Sequence, residues 1–306
     1  MDRPFDSAWL KWGRAVVHYH ALEAEVTNYI ANPDRHEYFL RWGDYDAKRH
    51  GFPITIASFT PWPTHWGVLL GDVVFNYRSA LDHIAWAVVG RGRRAGTLTE
   101  KEARNVYFPV VGTNAADFKR ETVVKLIGAR REDLALVRKT QPYLRGKRRA
   151  QRHVFTILND LSIVDKHRTI QPVQTITMRG SYTILKMVRC EETRDTRQPR
   201  ERRAVMEVGA EIGIVRVRKT GPDPEIDVGV TLDFTPGITP TNRLDEWLQV
   251  TGQLIRNLLI HLDPEPPNEI AQLGDPTWFF PPGQIPPHLR PPPAHGEHFP
   301  DAGHSL

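Results

Sequence analysis

The sequence predicts an α+β protein with an N-terminal helical bundle that carries a small hairpin, followed by an antiparallel sheet and a C-terminal helix. Apolar residues recur with helical spacing over most of residues 1–168. Segments rich in β-branched residues, separated by Gly, Pro or charged residues, then extend from Thr169 to about residue 235. An apolar stripe of helical period returns at residues 241–262, which predicts the last helix.

Local signals set the expected bounds of each element. Ser7 can cap a first helix over residues 7–31, which Asn32-Pro33 ends. The next predicted elements are a hairpin of Tyr38–Trp42 and Phe52–Phe59, a central helix over 64–89 stopped by Gly90, and helices over 115–127, 131–139 and 149–168. From Thr169 onward we expect four or five antiparallel strands.

Composition changes divide the chain into three predicted regions. Residues 1–168 form the mostly helical domain, and residues 169–262 form the β region with its C-terminal helix. Residues 263–306, which include FFPPGQIPPHLRPPP, are predicted to be a proline-rich disordered tail.

Composition also narrows the class of protein. The chain has 306 residues and a single cysteine, Cys190, which excludes a disulfide framework within the chain. The N-terminus lacks the basic and apolar regions of a signal peptide, and no window holds about 18 apolar residues in a row. We therefore expect a cytoplasmic protein that is not inserted in a membrane.

The positive charge of the chain is concentrated in one segment. The net charge is +5, and residues 138–152 (RKTQPYLRGKRRAQR) contain no acidic residue. This segment is a candidate track for the phosphates of a nucleic acid, and a solvated loop is the alternative. The candidate nucleic-acid-binding residues are Arg145, Lys147, Arg148, Arg149 and Arg152.

The central helix has one apolar and one polar face. At about 100° per residue, the polar arc holds Asp72, Asn76, Arg78, Ser79, Asp82 and His83. It also holds Phe75 and Trp86, so the arc suggests the wall of a pocket, with an ordinary solvated face as the alternative.

The 149–168 helix offers partners for that polar arc. Asp165 and Arg168 lie on its apolar side, where an unpaired charge is costly. They should pair with each other or with Arg78 and Asp82 on a facing helix. A structural ion-pair network would explain all four residues without catalysis.

Other chemical signatures are missing from the sequence. It contains no GxxxxGK[ST], GxGxxG, HExxH or GxSxG motif. A metal site built from His83, His153, His167 and Asp160 is conceivable, but single histidines on helices are usually not ligands. We therefore expect neither a metal nor a cofactor.

The stretch LGDVVFNYRSALDHIAW, with the later DKHR, resembles a group of uncharacterised bacterial proteins that share an "LGD…N.RSALDH" helix and a downstream "DKHR". More distantly, Arg78-x4-His83 resembles the Arg-x(4–6)-His motif of the HEPN superfamily, helical domains that include metal-independent RNases of toxin–antitoxin and other defence systems. This resemblance implies that Arg78 binds the scissile phosphate and that His83 is the general acid/base. It also implies RNA as the partner and a site formed across a homodimer. The supporting residues would be Asn76, Asp82, Asp165, Lys166, His167 and Arg168.

The motif has several matches in this chain. They are Arg14/His20, Arg78/His83, Arg148/His153, Arg256/His261 and Arg290/His295. Arg256/His261 is the main rival because an asparagine follows its arginine, as in many HEPN proteins, but Arg78 has more polar neighbours. The β segment 169–235 departs from a minimal HEPN domain.

Two hypotheses follow. The first is an RNA-binding or metal-independent RNA-cleaving protein of HEPN type. The second is a non-enzymatic bacterial protein whose Arg/Asp/His network is structural and whose β region binds a partner or a small molecule. In the first, Arg78 and His83 should face an open basic groove or a dimer interface; in the second, Arg78 should be buried against Asp165 or Asp82, with His83 occluded.

Overall fold

The computed structural model describes residues 3–35, 37–93, 97–178, 182–193, 202–230, 233–239 and 243–271. It confirms the α+β class, with helices preceding the strand-rich part and a further long helix after it. The helices are α1 (Asp6–Ile30), α2 (His65–Gly92), α3 (Glu100–Arg104), α4 (Ala115–Lys125), α5 (Arg131–Lys139), α6 (Lys147–Ala150), α7 (Val154–Asp165), α8 (Leu244–Leu262) and α9 (Asn268–Ala271).

The strands pair antiparallel throughout the described part of the chain. They are β1 (Tyr38–Trp42), β2 (Gly51–Phe59), β3 (Val173–Met178), β4 (Tyr182–Val188), β5 (Cys190–Glu192), β6 (Arg202–Val205), β7 (Glu211–Lys219), β8 (Glu225–Val230) and β9 (Asp233–Gly237). Three groups form, in the orders β1-β2-β7-β5, β6-β3-β9 and β4-β8.

The chain forms two compact units, each built from separate segments. The first comprises the described residues of Met1–Tyr19, Leu70–Ile170 and Leu248–Leu306. The second comprises the described residues of His20–Leu69 and Gln171–Trp247. The predicted boundaries at 168/169 and 262/263 stay predictions, and residues 272–306 of the expected proline-rich tail lie outside the described residues.

The first unit packs its helices around aromatic residues. From Leu70 to Val88, the α2 residues of the predicted apolar face are buried, as are Trp9 and Trp12 of α1. Trp12 Nε1 donates a hydrogen bond of 2.9 Å to the carbonyl oxygen of Gly252 in α8. This bond ties α1 to α8, and burial of the surrounding apolar surface stabilises both helices.

Arg91, near the end of α2, joins that helix to α5 and to α8 in the first unit. Its Nη2 lies 2.5 Å from Asp133 Oδ1 at the start of α5, and its Nε donates to Asp133 Oδ2 at 3.2 Å. Its Nη1 donates to the carbonyl oxygen of Leu262, the last residue of α8, at 2.9 Å. The Asp133 side chain is only 3% exposed, and Arg91 supplies the opposite charge beside it.

The second unit buries one face of the β1-β2-β7-β5 sheet. Phe52, Ile54 and Ile56 of β2 pack with Val215 and Val217 of β7. Burial alternates along β7, so Arg216 and Arg218 are exposed on the opposite face.

The structure corrects several predicted elements. Gly90 does not stop α2: it has no positive φ of a helix-ending glycine, and the helix continues to Gly92. Residues 149–153 are not the first turn of α7, because the His153 side chain caps that helix from outside. The sequence prediction also missed α3, although Thr99 and Glu102 form a capping box there.

The β region is more divided than predicted. Seven strands, not four or five, lie in the described residues from 173 to 237, and they do not form one sheet. The predicted hairpin β1-β2 is confirmed, and it joins β7 by pairing Phe52 with Val215.

Among the described residues, no helix combines the length and apolar character needed to cross a membrane.

Candidate functional site

Arg78 and Asp82 form an ion pair one turn apart on α2. Arg78 Nη2 lies 2.8 Å from Asp82 Oδ1 and donates a second hydrogen bond of 3.0 Å to the carbonyl oxygen of Phe108. The backbone N–H of Phe108 donates to the same Asp82 oxygen at 3.0 Å. The pair therefore satisfies both polar backbone groups of Phe108, whose ring is fully buried.

Burial dominates the electrostatics of this pair. Desolvation lowers the pKa of Arg78, and the Asp82 charge opposes that change. Desolvation likewise raises the pKa of Asp82, against the effect of Arg78 and the Phe108 N–H. The Arg78 side chain is 14% exposed, and its Nη1 is buried without a hydrogen bond to any described residue. Arg78 thus faces protein rather than an open groove.

His83 has a different environment from Arg78. It is half-buried, and desolvation and then the Lys11 charge lower its pKa, while Asp82 opposes this. Lys11 itself lies 5.4 Å from the centroid of the Phe75 ring. Asn76 is buried and donates to the Asp72 carbonyl oxygen at 2.8 Å, so its amide supports the helix. His83 is thus not fully occluded.

The DKHR segment meets α2 at a glycine. A Cβ on Gly71 would lie 2.4 Å from Asp165 Oδ1, so the carboxylate packs directly against the helix backbone. Desolvation and then the Asp72 charge raise the pKa of Asp165. Lys166, His167 and Arg168 are exposed beyond the end of α7. The expected ion pairs of Asp165 and Arg168 with α2 do not form within the described chain.

The basic segment contains exposed positive charges without an acidic partner in the described chain, as a phosphate track needs. Lys147, Arg148, Arg149 and Arg152 are exposed, and none forms an ion pair with a described residue. Arg145 is half-buried, and desolvation and then Arg149 lower its pKa. The segment folds as a 3-10 turn (Pro142–Arg145) followed by α6, with Gly146 between them at φ 80°. Its role as a nucleic-acid-binding surface stays a prediction.

A cleft of about 170 Å³ lies beside this segment in the first unit, and we call it the α5–α8 cleft. Its polar lining comes from Lys139, Thr140, His153, Asn257 and His261, and its apolar lining from Leu136, Leu254 and Leu258. The lining contains two histidines and a lysine but no carboxylate. His261 belongs to the second-ranked motif pair, whereas its partner Arg256 is half-buried outside this lining.

The two histidines of the cleft have opposite hydrogen-bonding roles. His261 Nδ1 lies 2.6 Å from the carbonyl oxygen of Asn257, which can only accept, so Nδ1 carries the proton and neutral His261 keeps a lone pair on Nε2. His153 Nδ1 instead accepts the N–H of Phe155 at 3.2 Å, so its Nε2 carries the proton. The cleft thus combines a potential base with a neutral donor.

His153 should remain neutral well below pH 7. Desolvation, with a smaller effect of Arg145, lowers its pKa from 6.5 to about 4. Between these values the unfolded chain binds a proton that the folded chain does not. The free energy of unfolding should therefore fall as the pH drops through this range, by up to about 1.4 kcal/mol per pH unit from this group.

His153→Asn tests this pH dependence because asparagine can also cap α7. Urea unfolding at several pH values should show a shallower loss of stability on acidification in the variant than in the wild type. An NMR titration that gives His153 an ordinary imidazole pKa would contradict the expectation.

Sequence reasoning did not find the α5–α8 cleft. Its polar residues come from the end of α5, the cap of α7 and the last turns of α8, which are far apart in the chain. The available signals were the Arg256/His261 match and the proximity of His153 to the basic segment. Across the residues that the structure describes, no group of three or more His, Cys, Asp or Glu side chains could hold a metal ion.

Comparisons of the chain with known protein families, with curated proteins and with solved structures gave no match.

Proposed function

We propose that this chain binds RNA and cleaves it without a metal ion, as the HEPN resemblance implies, and that the α5–α8 cleft is the reacting site. The observation that carries the proposal is that His261, His153 and Lys139 line one cleft whose lining contains no carboxylate. A polyanionic substrate would be repelled by carboxylates and attracted by the lysine.

The chemistry assigned to the cleft is transesterification by the ribose 2′-hydroxyl. His261 Nε2 takes the 2′-OH proton while the 2′-oxygen bonds to phosphorus. Lys139 and the His153 Nε2–H stabilise the charge on the non-bridging oxygens. The bond from phosphorus to the 5′-oxygen breaks, and that oxygen takes a proton from solvent. The products are a 2′,3′-cyclic phosphate and a 5′-hydroxyl.

The basic segment supplies the substrate path in this proposal. Four exposed cations, Lys147, Arg148, Arg149 and Arg152, lie between Lys139 and His153 in the sequence. They carry no carboxylate partner among the described residues, so their charge is available to the RNA backbone. Arg256 has no role in this step, because it lies outside the cleft lining.

A second candidate function is favoured by the Arg78 geometry. Arg78 is engaged by Asp82 and the Phe108 carbonyl, as expected if the Arg/Asp network is structural. In that case the protein is non-enzymatic, and the site residues first suggested by the HEPN motif stabilise the helical unit.

The test is cleavage of labelled single-stranded RNA in EDTA by the wild type and single alanine variants. His261→Ala should reduce the rate at least about 100-fold, because a general base contributes that much. His65→Ala, which removes an exposed histidine at the start of α2, is the matched control and should cleave like the wild type. His83→Ala should also retain activity.

Product ends and melting temperatures complete the comparison. Cyclic phosphate ends and an unchanged melting temperature of His261→Ala would support the proposal. Loss of cleavage only in His83→Ala would move the site to α2 and overturn the cleft assignment. A wild type that cleaves no RNA would leave the structural candidate.

A further inference from the structure

A second cleft, of about 1000 Å³, lies in the second unit where the β1–β2 loop meets the end of β7. We call it the β7 cleft. Its lining includes five cations, Lys48, Arg49, Arg216, Arg218 and Lys219, and no acidic residue, so the cleft is suited to an anion.

The β1–β2 loop is held firmly against β7. Asp46 accepts hydrogen bonds from the backbone N–H groups of Lys48 and Arg49, at 2.9 and 3.0 Å. The carbonyl oxygen of His50 accepts from the Val217 N–H at 2.9 Å. A Cβ on Gly51 would lie 2.4 Å from the Val215 carbonyl oxygen, so only glycine permits this approach. The loop therefore presents its cations from a fixed backbone.

Two of the five cations are neutralised by carboxylates from outside the lining. Arg49 pairs with Asp46 and Glu211, and Arg218 pairs with Glu191. Lys48 and Lys219 are exposed and form no ion pair with any described residue. Lys219 instead lies 5.7 Å from the centroid of the Tyr45 ring. These two lysines supply uncompensated charge at the cleft.

The shape of the cleft indicates the size of its ligand. Sites for small molecules enclose most of the ligand surface, whereas this cleft is wide and open to solvent. An open basic groove suits a chain that passes through it, with its phosphates on the cations.

We propose that the β7 cleft binds single-stranded RNA through its phosphates, with Lys48 and Lys219 as the main contacts. The choice of RNA rests on the proposed function. The cleft itself is a separate binding surface with no part in the cleavage chemistry.

The test is fluorescence anisotropy with a 2′-O-methyl oligonucleotide of about 12 nucleotides, which binds like RNA but cannot react. The variant is Lys48→Glu with Lys219→Glu. The matched control is Lys101→Glu with Lys119→Glu, which changes two exposed lysines of α3 and α4 and has the same net charge. Melting temperatures verify that both variants are folded.

The β7 variant should bind the oligonucleotide at least tenfold more weakly at about 100 mM salt. The slope of log binding constant against log salt concentration should be shallower by about 1.4, because each of the two lost phosphate contacts contributes about 0.7. The control should bind like the wild type. Equal affinity of the two variants would overturn the proposal, as would binding of ATP at this cleft without binding of the oligonucleotide.

Cleavage measured in parallel separates this inference from the proposed function. A wild type that binds through Lys48 and Lys219 but cleaves no RNA supports the β7 cleft and refutes the reaction. A wild type that cleaves RNA while the β7 variant binds like the control refutes the cleft alone.

Discussion

Arg91→Ala is expected to lower the free energy of unfolding by about 4 kcal/mol, the largest loss of stability that we predict for one substitution. The Asp133 carboxylate is buried at the start of α5, and Arg91 meets both of its oxygens. Alanine would leave this charge without a partner. It would also leave the carbonyl oxygen of Leu262 without its guanidinium donor.

Urea unfolding followed by circular dichroism measures this loss. Arg131→Ala, at an exposed position on the same helix as Asp133, is the matched control and should change stability by less than about 0.5 kcal/mol. Arg91→Met combined with Asp133→Leu should recover much of the loss, because both charges are removed together. A single Arg91→Ala variant as stable as the control would contradict the structural role.

Arg78→Ala should destabilise the protein by about 3 kcal/mol, because it removes the partner of Asp82 and the donor to Phe108. The expected loss of stability is smaller than for Arg91→Ala because Asp82 is 33% exposed, so solvent can partly replace the arginine. The melting temperature should fall by at least about 5 °C.

Arg14→Ala is the control for this second prediction, since Arg14 is exposed on α1. Thermal unfolding should place it near the wild type. If Arg78→Ala melted at the wild-type temperature but abolished RNA cleavage, Arg78 would be a catalytic residue and the HEPN motif pair on α2 would be the reacting site.

The local parts of the fold were predictable from the sequence. The apolar arc of α2, the five N-terminal helices that were expected and the β1-β2 hairpin all depend on short-range periodicity. The error at the start of α7 arose because His153, an unusual cap, ends the connection from α6. The pairing of β2 with β7 could not be predicted, because it joins residues about 160 positions apart and no local pattern specifies it.

The site was predictable only where its partners share a helix. Arg78 and Asp82 are four residues apart, which places them side by side on a helix, and their predicted ion pair is confirmed. The hydrogen bonds of this pair with Phe108 depend on the path of the irregular segment between α3 and α4, which no local pattern specifies. The α5–α8 cleft likewise depends on packing among three helices, so His153 and His261 could not be brought together from their positions in the sequence.

The tie between Trp12 and Gly252 has a consequence for synthesis of the chain on the ribosome. The first unit needs α8 to complete its core, and α8 is translated only after the whole strand-rich segment. Until then, the nascent helices around Trp9 and Trp12 lack their α8 partner and expose apolar surface. We therefore expect the helical unit to complete its core only after α8 has been synthesised.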